Sequence, residues 1–397
     1  MLCYSNIFLL MYQMYIALQK YCCASPLNAS SQPAYLLEGR KNKMKVILIP
    51  GDGIGTEIVD AAQRVLKAAI AKQKLNVEFE ERYAGGTAID KFGEPLPKET
   101  LDATTTAEAT LLGAVGGPKW DNVAPELRAE KAILGLRKGM GLYINLRPIR
   151  VSPHLIEYSP LKRENVEGTD FIIVRELTGG IYFGDRKEAY IDDKGVERAW
   201  DVEEYSTPEI TRVVDYAMKT AAMRKNKVTS VEKSNVLASS RLWKKTSLEI
   251  AKKYPAITLD SMYVDNCAMQ IILNPKSFDV IVTGNLFGDI LSDEAAVITG
   301  SIGMLPSASV GDGPGLFEPI HGSAPDIAGK GLANPLGTIL SAAMLMRFSL
   351  GNEAGAAAIE KAVDNVLAKG YRTADLYREG STKVSTEEMG RLVEAEL

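Results

Sequence analysis

Asp289 and Asp293 stand four residues apart in the stretch GNLFGDILSDEAA. On a helix that spacing puts both carboxylates on one face, where like charges repel unless a cation sits between them. A third carboxylate, Asp265 in MYVDNCAMQ, opens another predicted helix and reads either as a metal ligand or as an ordinary N-cap. The chain has only two histidines, His154 and His321, which excludes a three-histidine metal site. Three aspartates without a nearby histidine favour a hard cation, Mg²⁺ or Mn²⁺, over zinc.

Arginines come next. Arg137 sits in GLRKG, Arg147 in NLRPIR, and Arg175 ends the apolar run FIIVR. Each alone reads as a surface or capping residue. Together, at strand ends and glycine-rich turns, they suit a clamp for a substrate with two carboxylates, because planar guanidinium binds carboxylate bidentately. With histidine so scarce, acid–base work falls to lysine, tyrosine or carboxylates. Tyr182 follows the Gly179-Gly180 turn in RELTGGIYFGD, as a proton donor or as a packed hairpin tyrosine. Lys233 ends the strand KVTSVEK, where a lysine is either simply exposed or catalytic.

These residues need elements to hold them. From Met44 the chain alternates short apolar runs with helical periods. Strands are predicted over 45–49, 77–83, 110–115, 171–174, 227–231, 257–263 and 280–283, several of them apolar throughout, as expected for strands covered on both faces. A first helix places Ile58, Ala62, Val65, Leu66 and Ala69 on one face. A last helix starts with a Ser385–Glu388 capping box and presents Met389, Leu392 and Val393. The alternation predicts an α/β fold, and Lys233 then lies at the carboxyl edge of a sheet, where ligands bind.

The opening turn, LIPGDGIGTEI, resembles a dinucleotide-binding fingerprint but differs from it. Its glycines fall at Gly51, Gly53 and Gly55, and Thr56 holds the sixth position, where the fingerprint requires glycine. A Rossmann dinucleotide fold is therefore not expected. A second glycine-containing loop, HGSAPDIAGKGLAN, runs from His321 to Asn334; such backbone approaches a ligand closely.

Composition sets outer bounds. The chain of 397 residues is 46% hydrophobic and carries a net charge of −4, which gives no reason to expect nucleic acid as a partner. Three of four cysteines (Cys3, Cys22, Cys23) lie in the first 23 residues, and only Cys267 lies in the body, so no disulfide framework or zinc spacing is present there. A reducing, cytoplasmic setting fits. Residues 1–43 differ from the rest. The apolar run Ile7 to Leu18 is too short to span a bilayer and no basic residue precedes it, so neither a membrane span nor a signal peptide is expected. The expectation is an extension outside the fold, with organelle targeting as the alternative.

Taken together, RELTGGIYFG, VEKSNVL, GNLFGDILSDEAA and HGSAPDIAGKGLANP resemble the isocitrate/isopropylmalate family of metal-dependent β-decarboxylating dehydrogenases, most closely its isopropylmalate branch. The resemblance runs from Met44 to the C-terminus. It implies a two-domain α/β fold, with 44–142 plus 301–397 as the cofactor-binding outer domain. Residues 143–300 would form an inserted middle domain that makes the homodimer contacts.

The resemblance also assigns roles. Arg137, Arg147 and Arg175 correspond to the substrate clamp, and Tyr182 and Lys233 to the acid–base pair. Asp265, Asp289 and Asp293 correspond to the metal ligands, with Asp265 reaching substrate and metal in the neighbouring subunit's site. The segments 117–130 and 322–334 correspond to the NAD contacts. By residue these are Gly117, Pro118, Lys119, Trp120 and Glu130, then His321, Gly322, Ser323, Ala324, Pro325, Asp326, Ile327, Ala328, Gly329, Lys330, Gly331, Leu332, Ala333 and Asn334. The implied reaction is NAD-dependent oxidative decarboxylation of (2R,3S)-3-isopropylmalate to 4-methyl-2-oxopentanoate and CO₂, in leucine biosynthesis. Hydride leaves C2, Lys233 helps remove the hydroxyl proton, the β-carboxylate departs, and Tyr182 protonates C3.

Isocitrate, tartrate and homoisocitrate dehydrogenases share this scaffold and are the alternatives. In AEKAILGLRKG, Glu130, Ile133 and Leu134 lie within two turns of Arg137, and Val236 is a further candidate for apolar surface. An isopropyl group fits such a surface, whereas a third carboxylate would be buried unpaired. Ile133 and Leu134 read equally as the core side of a helix. Asp326 beside Ile327 argues for NAD over NADP, since an acid near the ribose repels a 2′-phosphate. A non-catalytic subunit is the other class, but it should have lost part of a set that is complete here.

Overall fold

A computed structural model describes residues 43–397. The extension expected at 1–43 lies, but for its last residue, outside the described residues. Ten strands form one sheet: β1 (Met44–Gly51), β2 (Val77–Glu81), β3 (Ala109–Ala114), β4 (Leu142–Arg150), β5 (Asp170–Glu176), then β8 (Lys227–Glu232), β9 (Thr258–Tyr263), β10 (Val280–Thr283), β11 (Pro306–Gly311) and β12 (Gly315–Pro319). A separate antiparallel hairpin, β6 (Arg186–Ile191) and β7 (Glu197–Asp201), stands mostly in solvent.

The sheet order is β2-β1-β3-β12-β11-β4-β5-β10-β8-β9. Parallel pairing joins β2, β1, β3 and β12 on one side, and β5, β10, β8 and β9 on the other. Antiparallel pairing runs through β12, β11, β4 and β5 between them. A Rossmann sheet has a different order and no antiparallel centre, so the reading of the opening glycines holds.

Helices cover both faces: α1 (Gly55–Lys72), α2 (Gly86–Phe92), α3 (Lys98–Thr106), α4 (Lys131–Gly139), α5 (Arg163–Val166), α6 (Thr207–Ala222), α7 (Ala238–Ala251), α8 (Val264–Leu273), α9 (Asn285–Val297), α10 (Leu336–Phe348), α11 (Glu353–Ala368) and α12 (Thr386–Ala395). All five apolar residues expected on one face of α1 are buried. The capping box of α12 is formed, with Met389 and Val393 buried. β3, β5, β8 and β10 are almost entirely buried, as their apolar runs require. The strands β4, β11 and β12 were not expected and are the centre of the sheet.

The opening turn is organised by Asp52, which is 2% exposed. Its carboxylate accepts the amides of Gly86 and Thr87 (both 2.7 Å), the Thr87 hydroxyl (2.8 Å) and the amide of Gly116 (2.8 Å). Gly53 has φ +57°, and a Cβ there would lie 2.0 Å from the Ser323 carbonyl oxygen. The Ile54 amide donates to that same oxygen at 2.8 Å. The opening glycines thus let the first turn lie against the 321–334 loop.

Candidate functional site

One face of β4 and β5 carries the centre of the site. Asn145 and Arg147 are two apart on β4 and so share a face, and Asn145 is in register with Arg175 of β5. Next to β5 runs β10, which leads through Gly284 into α9. The helix then presents Asp289 and Asp293 to the arginines.

Asp289 is the node. Its Oδ1 receives Arg175 Nη1 at 2.5 Å and Arg147 Nη2 at 3.4 Å, and its Oδ2 accepts the Tyr182 hydroxyl at 2.9 Å. Burial raises the Asp289 carboxyl, but Arg175 and Arg147 outweigh it, so the group is held below the usual range. Asp293 receives Arg147 Nη1 at 3.2 Å. Burial pushes its carboxyl up, as does Asp289, and Arg147 opposes this only in part. Burial and the nearby Arg147 bring Arg175 down to about 9, so it stays a cation at neutral pH. Burial and then Asp289 raise the Tyr182 phenol, which keeps it protonated and able to donate.

The arginines are not at strand ends and turns, as expected. Arg137 lies in the last turn of α4 and Arg147 within β4; only Arg175, one residue before the end of β5, stands near a strand end. Arg137 Nη2 donates to Glu318 at 3.2 Å, and its buried Nε has no partner. Tyr182 sits in a single 3₁₀ turn, Gly180–Tyr182, rather than a hairpin.

Lys233 and Asp265 form a second group. Lys233 follows β8, and its Nζ donates to Asp265 Oδ1 at 2.6 Å. That bond to Lys233 holds the Asp265 carboxyl below its usual range. Asp265 is in the first turn of α8, whose N-cap is Tyr263, so the ordinary N-cap reading is corrected. Among the described residues, no hydrogen bond or ion pair joins this group to Tyr182, Asp289 or Asp293. Nor do three side chains of His, Cys, Asp or Glu converge there to hold a metal ion. The expected acid–base pair and metal set are thus divided between two places on one chain. Val236 is 63% exposed, and its amide donates to the Lys233 carbonyl at 3.0 Å, so it lies with the Lys233 group. Of Ile133 and Leu134, Ile133 packs on the buried cluster containing Leu136 and Met140.

The expected cofactor segments meet around the opening turn. Ser323 Oγ donates to the Gly116 carbonyl at 2.7 Å, and the Gly331 amide donates to Glu57 at 3.0 Å. Pro325, Asp326, Gly329 and Lys330 are exposed there; Ala328 is half-buried. His321 is pushed down by burial, and its Nε2 is buried without a partner. Ala333 and Asn334 are buried, and Asn334 Nδ2 donates to Asp375 at 3.0 Å. Lys119 and Trp120 are committed elsewhere. Both bond to Asp90 (2.5 and 3.2 Å), which ties the 117–120 segment to α2. Glu130 lies against Gly116, where an added Cβ would meet Glu130 Oε1 at 2.6 Å.

Four site residues had no signal of their own in the sequence. Asn145, Asn285, Ser292 and Glu318 bind the arginines but are single polar residues amid apolar ones. The signal available was Asn285 directly after an apolar strand and a glycine, at the start of the Asp289 helix.

Comparison with known proteins places this arrangement. Residues 45–393 match the isocitrate/isopropylmalate dehydrogenase family model. The 3-isopropylmalate dehydrogenase of Clostridium acetobutylicum is 56% identical over 355 residues, covering 89% of this chain and 99% of that protein. The 3-isopropylmalate dehydrogenase of Bacillus subtilis is 52% identical over 358 residues, covering 89% and 98%. Among solved structures, isocitrate dehydrogenase from Methylococcus capsulatus superimposes with a TM-score of 0.80 at 35% identity, covering 89% of this chain and 99% of that one. A β-decarboxylating dehydrogenase from Thermococcus kodakarensis gives 0.73 at 37%, covering 89% and 96%. The chain belongs to the isocitrate/isopropylmalate dehydrogenase family.

Proposed function

We propose that the protein catalyses NAD-dependent oxidative decarboxylation of (2R,3S)-3-isopropylmalate to 4-methyl-2-oxopentanoate and CO₂, a step of leucine biosynthesis. The observation that carries this is the gathering of Arg147, Arg175 and Tyr182 on Asp289. Two fixed cations suit a dicarboxylate, and a phenol kept protonated suits proton delivery. The substrate follows from identity above 50% to proteins named for 3-isopropylmalate, against 35% to the isocitrate enzyme.

Asp289 and Asp293 are oxygen donors that fit Mg²⁺ or Mn²⁺, and a second copy's Asp265 completes the set. The cation would supply polarisation of an oxygen at the carbon being oxidised, and NAD would supply the hydride acceptor. The chain's own residues do the rest. Arg137, Arg147 and Arg175 bind and orient the carboxylates, Lys233 enters the step as the neutral amine and takes the hydroxyl proton, and Tyr182 gives a proton to C3 after CO₂ has left. NAD would lie along the 321–334 loop, with Asp326 exposed towards the ribose.

Division of the set between two places on one chain supports a homodimer, each site using Tyr182 and Asp289 from one copy and Lys233 and Asp265 from the other. α8, which carries Asp265, also exposes Met269 (55%) and Leu273 (63%), beside Ile290 (57%) and Val297 (56%) of α9. Apolar area of this kind marks an interface. The β6–β7 hairpin, with exposed Ile191 and Trp200, adds to it. In this reading 44–142 plus 301–397 form the cofactor lobe, and 143–300 form the lobe that pairs. Among the described residues no helix is long and apolar enough to cross a membrane, and the free, buried Cys267 fits a reducing cytoplasm.

Measuring kcat/KM for 3-isopropylmalate, isocitrate and tartrate side by side, with NAD and Mg²⁺ or Mn²⁺, tests the reading. A preference of at least ~100-fold for 3-isopropylmalate is expected, because an unpaired third carboxylate in an apolar pocket costs several kcal/mol. Preference for isocitrate would overturn it.

A further inference from the structure

We infer that Asn145 and Asn285 are positioning residues that hold the two clamp arginines by Nε with a neutral carboxamide, so that orientation is fixed without setting a further negative charge against the substrate. Arg147 Nε donates to Asn145 Oδ1 at 2.8 Å. Arg175 Nε donates to the Asn285 carbonyl at 2.9 Å and to its Oδ1 at 3.2 Å, and Arg175 Nη2 donates to the same Oδ1 at 2.8 Å. Both asparagines are buried, at 0% and 1% exposure.

The choice of partner is distinctive within this chain. Arg163, Arg198, Arg224 and Arg347 give Nε to a carboxylate, of Glu167, Asp192, Asp279 and Glu353 respectively. Among the described residues only Arg147 and Arg175 give it to a carboxamide. Both guanidinium groups already face Asp289, and Arg147 also faces Asp293; a carboxylate at Nε would add a further negative charge against the substrate's own carboxylates. An amide oxygen accepts the same hydrogen bond without doing so.

The asparagines are themselves fixed. Asn145 Nδ2 donates to Ser307 Oγ at 2.7 Å and Ser309 Oγ at 3.2 Å, on the neighbouring β11. Asn285 Nδ2 donates to the Gly179 carbonyl at 3.3 Å, and its backbone amide donates to the Tyr205 hydroxyl at 2.8 Å. Gly179, Gly180 and Gly284 all lie against the Tyr205 side chain, where an added Cβ would meet its ring at 2.8 Å and its hydroxyl oxygen at 2.4 and 3.1 Å respectively. Asn285 therefore ties Arg175 to the turn that carries Tyr182. With Nε taken, and with Nη2 bonded to Asn285 and Nη1 to Asp289, one N–H of each terminal nitrogen of Arg175 is left to donate to a ligand oxygen.

The inference rests on the clamp reading of Arg147 and Arg175, and its test separates the two. Asn285→Asp, Asn145→Asp, Asn285→Ala and Arg175→Lys are compared with the parent full-length protein. KM for 3-isopropylmalate, KM for NAD and Tm are read for each. The expected order of substrate KM is parent, then Asn285→Ala, then Asn285→Asp, the last raised at least ~10-fold, with KM for NAD unchanged. Asn145→Asp behaves as Asn285→Asp does. A merely structural role gives the opposite order, since the near-isosteric Asp keeps the acceptor while Ala removes it. That order, or an unchanged substrate KM in the Asp variants, overturns the inference. If Asn145→Asp does not fold, the pair at 285 decides. An unchanged substrate KM in Arg175→Lys removes the clamp reading itself, and this inference with it.

Discussion

Asp289 takes hydrogen bonds from Arg175 and Tyr182 and an ion pair from Arg147, and so joins the clamp to the proton donor of the proposed chemistry. Tyr182 shows how the node works. Its phenol is kept protonated by burial and by the carboxylate it binds, so the proton is present at neutral pH and is aimed into the site. Tyr182→Phe removes that proton with little change of shape, and Lys233→Ala removes the proposed base. Each is expected to lower kcat by ~100-fold or more while leaving Tm within about 2 °C. Stopped-flow turnover and a thermal melt check both points, and a near-normal rate in either variant takes that residue out of the mechanism.

At the scale of elements, α10 and α11 are held together by a charged clamp. Arg347 of α10 binds Glu353 at 2.7 Å and Glu360 at 2.6 Å, both on α11. The bond to Arg347 holds the Glu353 carboxyl below the usual carboxylate range. A carboxyl lowered on folding stabilises the fold above its unfolded pKa and loses that contribution as pH falls through the folded one. The pair is largely exposed, so the effect is small, up to ~1 kcal/mol or about 1–2 °C in Tm. Glu353→Gln is expected to melt earlier than the parent at pH 7, with the gap closing below about pH 4. A gap that persists in acid would assign the effect to packing instead.

Elements also show what a sequence can and cannot disclose. The runs of β1, β3, β5, β8 and β10 were legible because burial on both faces keeps charge to their ends and leaves mostly apolar residues between. So were the site's charged residues, since charge in an apolar context has to be explained. The central strands were hidden. β4 holds Arg147 and Pro148 in its interior, and β11 with β12 reads PSASVGDGPGLFEP, the composition of a loop. Their neighbours supply the burial their own composition does not suggest, and only the fold reveals it. Asn145 and Asn285 were illegible for a related reason: a lone asparagine is informative only when its hydrogen-bond partner is known.

At the scale of the whole molecule, the proposed division of the site between two copies makes a quantitative prediction. A dimer of one Lys233→Ala chain and one Tyr182→Phe chain has one site with both residues intact and one with neither. Unfolding and refolding the two inactive variants as an equal mixture should give about a quarter of parent activity, since half the dimers are mixed and half their sites work. Mixing without recovery, in refolded material that is dimeric by light scattering, would place Lys233 and Tyr182 in the same copy's site.

The sheet order carries a further consequence, for synthesis. The neighbour of β3, which ends at Ala114, is β12, which begins only at Gly315. As the chain leaves the ribosome, β5, β8, β9 and β10 can pair before β11 exists, whereas β3 keeps an open, apolar edge throughout that interval. Unpaired strand edges recruit other chains. Nascent chains arrested after residue 300 should therefore bind chaperones through the segment 44–114, and release them once residues 306–319 have emerged.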